Sequence, residues 1–151
     1  MRGLVQRVRQ AWVTSSEERD SPGQEVGRIG PGLAVLVGVT HADDVATAHR
    51  LADKVFRLRI LDDGAGDMNL SCADTGGELL VVSQFTLYGD ARKGRRPSFV
   101  EAARPEVAEP LVDEVVARLR DQGASVATGR FRTHMQVHIV GDGPVTLMVE
   151  V

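Results

Sequence analysis

The chain has 151 residues, a length that fits one domain with its own hydrophobic core. Its formal net charge of −3 excludes a protein that coats nucleic acid by bulk electrostatics, so that any RNA contact must come from a local patch. The single cysteine, Cys72, excludes an internal disulfide. The scattered arginines of the N-terminal segment, with no unbroken apolar stretch behind them, predict neither a signal peptide nor a membrane span. We therefore expect one cytoplasmic domain over residues 1–151.

The first half of the chain alternates strand patterns with one helix pattern. Period-two alternation from Leu4 to Val13 predicts a first strand, a polar stretch over 15–23 predicts a loop, and 24–29 a short second strand. Residues 33–39 (LAVLVGV) are almost wholly apolar, as in a strand buried on both faces. After Asp43 and Asp44, apolar residues at three-and-four spacing predict an amphipathic helix to about residue 57. A short strand over 59–61 and a loop over 62–67 follow.

The second half contains another apolar β run over 78–84, a basic loop over 88–97 and a second helix. That helix is indicated by apolar residues every four positions and should end at Gly123, with Pro110 delaying or kinking its start; the four are Val107, Leu111, Val115 and Leu119. Strands are expected over 125–129, 135–140 and 145–151, with a turn over 141–144. These elements predict one α+β domain with many strands, mostly antiparallel or mixed sheets and two main helices.

Three segments are candidates for chemistry. Ser83-Gln84-Phe85-Thr86 ends the most apolar strand, where hydroxyl, amide and backbone N–H groups can polarise a carbonyl; the alternative is a strand that merely runs into a turn. Arg92, Lys93, Arg95 and Arg96 place four cations in five positions, which suits phosphates but also suits a solvated loop. Gly143-Pro144 is a turn by composition, and its peptide bond is either cis or, as most X–Pro bonds are, trans.

Other kinds of site find no support in the sequence. His134 and His138 lie on an expected strand, too far apart to share one metal ion. The acidic stretch 62–67 lacks the glutamate that a calcium loop needs at its twelfth position, where Ala73 stands. No glycine pattern of a dinucleotide or P-loop site is present, and no serine–histidine–acid triad can be identified. We expect neither a metal nor a cofactor.

Together these segments resemble one family, the bacterial and eukaryotic D-aminoacyl-tRNA deacylases. Seven short motifs carry the resemblance in order from one end of the chain to the other: residues 4–8 (LVQRV), 68–71 (MNLS), 81–87 (VVSQFTL), 96–99 (RPSF), 128–131 (TGRF), 135–137 (MQV) and 142–146 (DGPVT). One such tetrapeptide would be weak, but seven collinear ones make chance agreement improbable.

The resemblance implies a compact, β-rich, barrel-like fold that forms a homodimer. It also implies hydrolysis of D-aminoacyl-tRNA, together with Gly-tRNA mischarged on tRNA-Ala. It implies a catalytic segment at Ser83, Gln84, Phe85 and Thr86, and a Gly-cis-Pro dipeptide at Gly143 and Pro144 that enters the partner subunit's pocket and rejects L-amino acids. Arg7 matches the arginine that braces this dipeptide. The basic loop, with Arg92, Lys93, Arg95 and Arg96, would hold the acceptor-stem phosphates.

The resemblance leaves the mechanism and the precise activity open. N–H groups around Phe85 and Thr86 would stabilise the oxyanion, with the adenosine 2′-OH assisting water; a nucleophilic Thr86 is the alternative. A deacylase with a trans Gly-Pro bond would also cut small L-aminoacyl esters. A non-catalytic module that binds RNA ends and a purely structural dimeric domain are the competing interpretations from other classes.

Overall fold

The computed structural model describes all residues from 1 to 151. Eight strands and three helices follow the chain, with a 3-10 turn after the sixth strand. The elements are β1 Arg2–Ser16, β2 Gln24–Ile29, β3 Gly32–Gly38, α1 Val45–Phe56, β4 Leu61–Asp62, β5 Met68–Leu70, α2 Cys72–Thr75, β6 Glu78–Ser83, the 3-10 turn Phe85–Tyr88, α3 Pro105–Asp121, β7 Val126–Thr128 and β8 His134–Glu150. The predicted α+β class with two main helices is confirmed, and α2 is a short helix that the pattern did not indicate.

The sheet is mixed and is organised around the long strand β1. Along one edge β1 pairs antiparallel with β3 and then with β2, and along the other edge it pairs with β8 over nearly its whole length. Strand β6 continues the sheet parallel to β3, and β7 lies parallel to β6. The sheet nearly closes on itself, since a Cβ added at Gly27 of β2 would lie 2.5 Å from the carbonyl oxygen of Thr128 in β7. The expected barrel-like shape is thus confirmed.

Two hydrophobic cores lie on opposite faces of this sheet. The larger has 23 buried residues and is closed by α1 and α3; the smaller has seven and fills the curled inner side. Successive residues of β3 and β6 alternate between them: Leu33 and Leu79 face the helices, whereas Ala34 and Leu80 face inward. Because both faces of these strands are buried, both strands are continuous apolar runs instead of alternating patterns.

The helices begin where local chemistry favours it. Asp44 caps α1, because its carboxylate accepts hydrogen bonds from the backbone N–H and the hydroxyl of Thr47. Helix α3 begins at Pro105, earlier than the apolar spacing predicted, and it continues through Pro110 without a break. The periodicity failed at Val107, which is exposed and lies outside the buried face. Gly123, with a φ of 90°, follows the end of α3 as expected.

Strand β8 corrects one prediction. Residues 141–144 do not form a turn between two strands: β8 runs on in one direction, paired with β1 on both sides of this segment. Gln6 pairs with Thr146 and Val8 pairs with Gly141, so five steps along β8 face two along β1. The surplus residues bulge out of the ladder. They include the Gly143–Pro144 peptide bond, which is cis.

None of the helices combines the length and the apolar content that crossing a bilayer requires.

Candidate active site

A cavity of about 970 Å³ opens where β6 ends, and the Ser83–Thr86 segment lines it. Ser83 is the last residue of β6, and Gln84 extends the pairing because its N–H donates to the carbonyl of Val37 in β3 at 2.7 Å. The chain then turns into the 3-10 helix. The paired parallel strands β3 and β6 therefore hold this segment at the cavity.

Two contacts order the side chains of this segment. The side-chain amide of Gln84 donates a hydrogen bond to the Thr86 hydroxyl, so that the hydroxyl proton of Thr86 remains available for another acceptor. The Phe85 ring is 57% exposed and packs edge-on against Phe99, with ring centroids 5.1 Å apart. Phe99 lines the same cavity, and the two rings form an aromatic wall to which a nucleobase could bind by stacking.

The arginine and histidine side chains that line the cavity were not assigned to it by the sequence reasoning; they are Arg19, Arg132 and His134. Arg19 comes from the loop after β1 and donates from Nε to Nε2 of His134 at 3.3 Å. The sequence analysis considered His134 only as a metal ligand together with His138, and rejected that role. The motif 128–131, which carried part of the resemblance, directly precedes Arg132 and was the available signal.

The Gly143–Pro144 dipeptide lies elsewhere on the surface. Both residues are exposed, and neither lines the cavity of its own chain. Arg7 braces the bulge: its Nε donates to the carbonyl oxygen of Asp142 at 3.3 Å, and its Nη1 donates to a carboxylate oxygen of Asp62 at 2.6 Å. A second Nη1 bond reaches the carbonyl of Ile60 at 3.0 Å, so this buried guanidinium ties β4 and β8 to β1.

The four cations of the basic loop differ in whether they are paired within the chain. Arg92 forms a two-pronged ion pair with Asp90, which lowers the pKa of Asp90 to about 2. Lys93, Arg95 and Arg96 are exposed and form no ion pair within the chain. Arg92 lines a second cavity together with Tyr88 and Gly89, at the end of the 3-10 turn. The loop is therefore next to the candidate site along the chain, but does not line its cavity.

No cluster of histidine, cysteine and acidic side chains has the arrangement of a metal site. Cys72 is fully buried, and this burial raises the pKa of its thiol to about 12, so the thiol is not a nucleophile at neutral pH.

The fold and the cavity together describe a β-rich α+β domain in which a polar segment at a strand end lines a large cavity. Comparison with known proteins agrees. The family model for D-Tyr-tRNA(Tyr) deacylase matches residues 4–150. A D-aminoacyl-tRNA deacylase of Heliobacterium modesticaldum is 58% identical over 150 residues, covering 99% of this chain and 96% of that one. A relative of the same name from Nocardia farcinica is 58% identical over 153 residues, with 99% of each chain covered.

Solved structures give the same result for the fold. A c-Myc DNA unwinding element binding protein is 35% identical, with a TM-score of 0.89, over 100% of this chain and 99% of that one. A structure described as a probable eukaryotic D-amino acid tRNA deacylase is 16% identical, with a TM-score of 0.83 and coverage of 99% and 98%. The chain belongs to the D-aminoacyl-tRNA deacylase family, a class of enzymes that hydrolyse ester bonds. The family resemblance seen in the sequence is confirmed.

Proposed function

We propose that this chain hydrolyses the ester bond of D-aminoacyl-tRNA and releases free D-amino acid and tRNA. One observation carries the proposal: in a chain of this family, the Ser83–Thr86 segment lines the large cavity at the strand end. The partner is then a tRNA with an aminoacylated 3′ end. The terminal adenosine would enter the cavity and stack on the aromatic wall of Phe85 and Phe99.

The 3-10 turn supplies the electrostatic part of the mechanism. The first N–H groups of a helical turn have no acceptor within that turn, which leaves those of Phe85 and Thr86 for an incoming oxygen. As water attacks the ester carbonyl, negative charge develops on that oxygen, and these donors stabilise it. Thr86 can also donate its hydroxyl proton, because Gln84 already occupies a lone pair of the same oxygen.

The contacts of Thr86 argue against a covalent acyl-enzyme. An activated nucleophile needs a base that accepts its proton, whereas the Gln84 amide donates to Thr86. We therefore assign Thr86 to positioning the substrate or the attacking water. The 2′-OH of the terminal adenosine would assist that water, since an aminoacyl ester is already an activated substrate.

Chiral selection requires a second subunit in this proposal. Gly143 and Pro144 are exposed and do not line their own cavity, which fits a role in the cavity of a partner in a homodimer. Apolar side chains on the same strand support such an interface, because Val140, Leu147 and Met148 are 39%, 41% and 49% exposed. Within the partner's cavity the dipeptide would occupy the space that an L side chain needs.

Two finer specificities belong to the proposal. A filter that excludes an L substituent leaves room for hydrogen, so Gly-tRNA mischarged on tRNA-Ala would be hydrolysed as well. Lys93, Arg95 and Arg96 would bind phosphates of the acceptor stem, because they are exposed and free of internal ion pairs, with Arg92 held beside them by Asp90.

Hydrolysis of D-Tyr-, L-Tyr- and Gly-tRNA by the purified protein tests the activity. We expect cleavage of the D-tyrosyl and glycyl esters and no cleavage of the L-tyrosyl ester. Thr86→Ala should lower kcat on D-Tyr-tRNA, and Pro144→Ala should lose activity or discrimination. Binding of tRNA without release of D-tyrosine would refute the proposal in favour of a module that only binds RNA ends, and rapid cleavage of L-Tyr-tRNA would refute the filter.

Mixed dimers test whether the dipeptide acts across subunits. One subunit carries Thr86→Ala and the other carries Pro144→Ala. If the dipeptide serves the partner's cavity, one of the two sites combines an unaltered Thr86 with an unaltered Pro144, and about half of the wild-type activity should return. If the dipeptide serves its own chain, both sites carry one defect and the mixed dimer stays as impaired as its parents. Sedimentation of the wild type measures the dimer itself.

A further inference from the structure

We propose that Arg132 binds a phosphate group of the acceptor end at the mouth of the candidate active-site cavity. The inference rests on the proposed function, because that function puts the terminal adenosine inside the cavity. It concerns a residue that no motif of the resemblance contains, and it adds a binding contact separate from the basic loop 92–96.

The backbone of Arg132 has an unfavourable conformation. Its φ is 57°, which makes it the one residue other than glycine with a positive φ in this chain. A side chain in this left-handed region carries a conformational cost that glycine would avoid. Arg132 is nevertheless exposed, and its guanidinium forms no ion pair or hydrogen bond within the chain. Nothing inside the protein therefore compensates for having an arginine at this position.

The turn that carries Arg132 is held firmly. Thr133 donates its hydroxyl proton to the carbonyl of Arg130 at 2.9 Å and accepts a hydrogen bond from the Ser15 hydroxyl at 2.7 Å. Ser15 lies in β1 and is only 4% exposed. The turn is thus tied to the central strand of the sheet, and the base of the Arg132 side chain has a defined position relative to the cavity.

The charge of the cavity favours an anion. Arg19 and Arg132 line it, whereas no aspartate or glutamate does, although the chain has 21 acidic residues against 18 lysines and arginines. Arg19 already donates to His134, which leaves Arg132 as the arginine without an internal partner. An arginine at the rim of a carboxylate-free cavity is suited to a phosphate, whose oxygens match the two parallel donors of a guanidinium.

The position of the anion follows from the substrate. The terminal adenosine and its aminoacyl ester carry no negative charge, so they do not need this arginine. The phosphodiester groups that join the adenosine to the preceding nucleotides must leave through the cavity mouth. Arg132 would pair with one of them and so contribute to the affinity for the RNA, without taking part in the chemical step.

Three D-tyrosyl substrates separate this inference from the proposed function: D-tyrosyl-adenosine, which has no phosphate, the D-tyrosyl ester of the trinucleotide CCA, and D-Tyr-tRNA. Two variants remove the positive charge. Arg132→Gln keeps a side chain in the left-handed backbone conformation, whereas Arg132→Gly removes the conformational cost of that side chain. We expect each to raise KM for the trinucleotide and tRNA esters about tenfold, the loss of one charge-assisted contact, with kcat unchanged. Hydrolysis of D-tyrosyl-adenosine should be unaffected.

Salt dependence and a matched control complete the test. The slope of log(kcat/KM) against log[salt] for D-Tyr-tRNA should fall by about one unit in both variants. Arg130→Gln removes an exposed arginine two residues away that does not line the cavity, and it should match the wild type. Thermal unfolding of Arg132→Gly should be unchanged or shifted upward, which excludes misfolding as the cause.

Several outcomes would overturn the inference. An unchanged KM for the trinucleotide ester in both variants would show that Arg132 makes no phosphate contact there, and an equal loss on D-tyrosyl-adenosine would point to a role in the cavity itself. An effect confined to full-length tRNA would move the contact to the stem. If the wild type hydrolyses none of the three substrates, the proposed function fails, which is a distinguishable result.

Discussion

Replacement of Arg7 by alanine tests the brace that holds the Gly143–Pro144 bulge. The Arg7 side chain is 9% exposed, and it bonds two backbone carbonyls and the carboxylates of Asp62 and Asp142. Its removal leaves the buried Ile60 carbonyl without the guanidinium donor. Both carboxylates lose the positive charge with which they pair. Loss of one partner from a fully buried ion pair costs about 3–5 kcal/mol.

The cost should be lower here, because water can reach the two carboxylates. Their side chains are 48% and 30% exposed for Asp62 and Asp142 respectively. We expect a loss of about 2–3 kcal/mol in the free energy of unfolding. For a domain of this size, that corresponds to a fall of about 4–12 °C in Tm. The bulge should also lose its fixed position, so hydrolysis of D-Tyr-tRNA should fall at temperatures where the variant is still folded.

Urea unfolding followed by circular dichroism measures the stability, and release of D-tyrosine measures the activity. Arg9→Ala is the matched control, because Arg9 also bonds the Asp142 carboxylate, at 3.2 Å, but is 76% exposed. An exposed ion pair contributes about 0.2–1 kcal/mol, so this variant should remain close to the wild type in both assays. If Arg7→Ala were no less stable than Arg9→Ala, the argument that burial makes the Arg7 contacts important would be wrong.

Three further predictions concern single residues. Gly143→Ala should lower the free energy of unfolding, measured in urea, by about 1–3 kcal/mol. Residue 143 has a φ of 115°, and an added Cβ would lie 2.8 Å from a Val145 methyl carbon. An unchanged unfolding midpoint would contradict this backbone conformation. The pKa of Asp90 is lowered to about 2 mainly by the hydrogen bond from Arg92, so the pair should stabilise the fold above the ordinary carboxyl pKa and be lost as the pH falls toward 2. Arg92→Gln should raise the pKa of Asp90 toward its ordinary value in an NMR titration, and an Asp90 pKa that stays near 2 would assign the shift to another group. Cys72, with a thiol pKa raised to about 12 by burial, should resist a thiol reagent at pH 8 until the protein unfolds, and rapid labelling of the native protein would contradict its burial. Because the thiol ionises at a lower pH in the unfolded chain, the fold should lose stability as the pH rises from the ordinary thiol pKa toward this value.

Local patterns predicted most elements of the fold. The apolar run of β3 and the spacing of α1 depend on neighbours within a few residues, so the sequence alone indicates them. The predicted start of α3 was too late because it relied on the apolar spacing, which begins only at Val107. Pro105, a residue type favoured at the first position of a helix, was the signal for the earlier start. The segment 83–86 was also identified in advance, because a polar tetrapeptide at the end of an apolar run is a local signal.

The bulge in β8 and the composition of the cavity were decided by the tertiary structure. Gly, Asp and Pro over 141–144 suit either a hairpin turn or a bulge, and only pairing with β1, more than 130 positions earlier, makes it a bulge. Likewise, Arg19 and Arg132 are ordinary loop arginines in the sequence, and they line one cavity because β1 and β8 run side by side.

The sequence by itself thus determined most of the strands, the two main helices and the chemical groups available for a reaction, because these depend on side-chain type and spacing. Strand register between distant segments decided which of those groups meet. It also decided that the Gly143–Pro144 pair lies outside the cavity of its own chain. Register is set by the burial of whole faces of the sheet, an energy to which many residues contribute and which no short stretch of sequence contains.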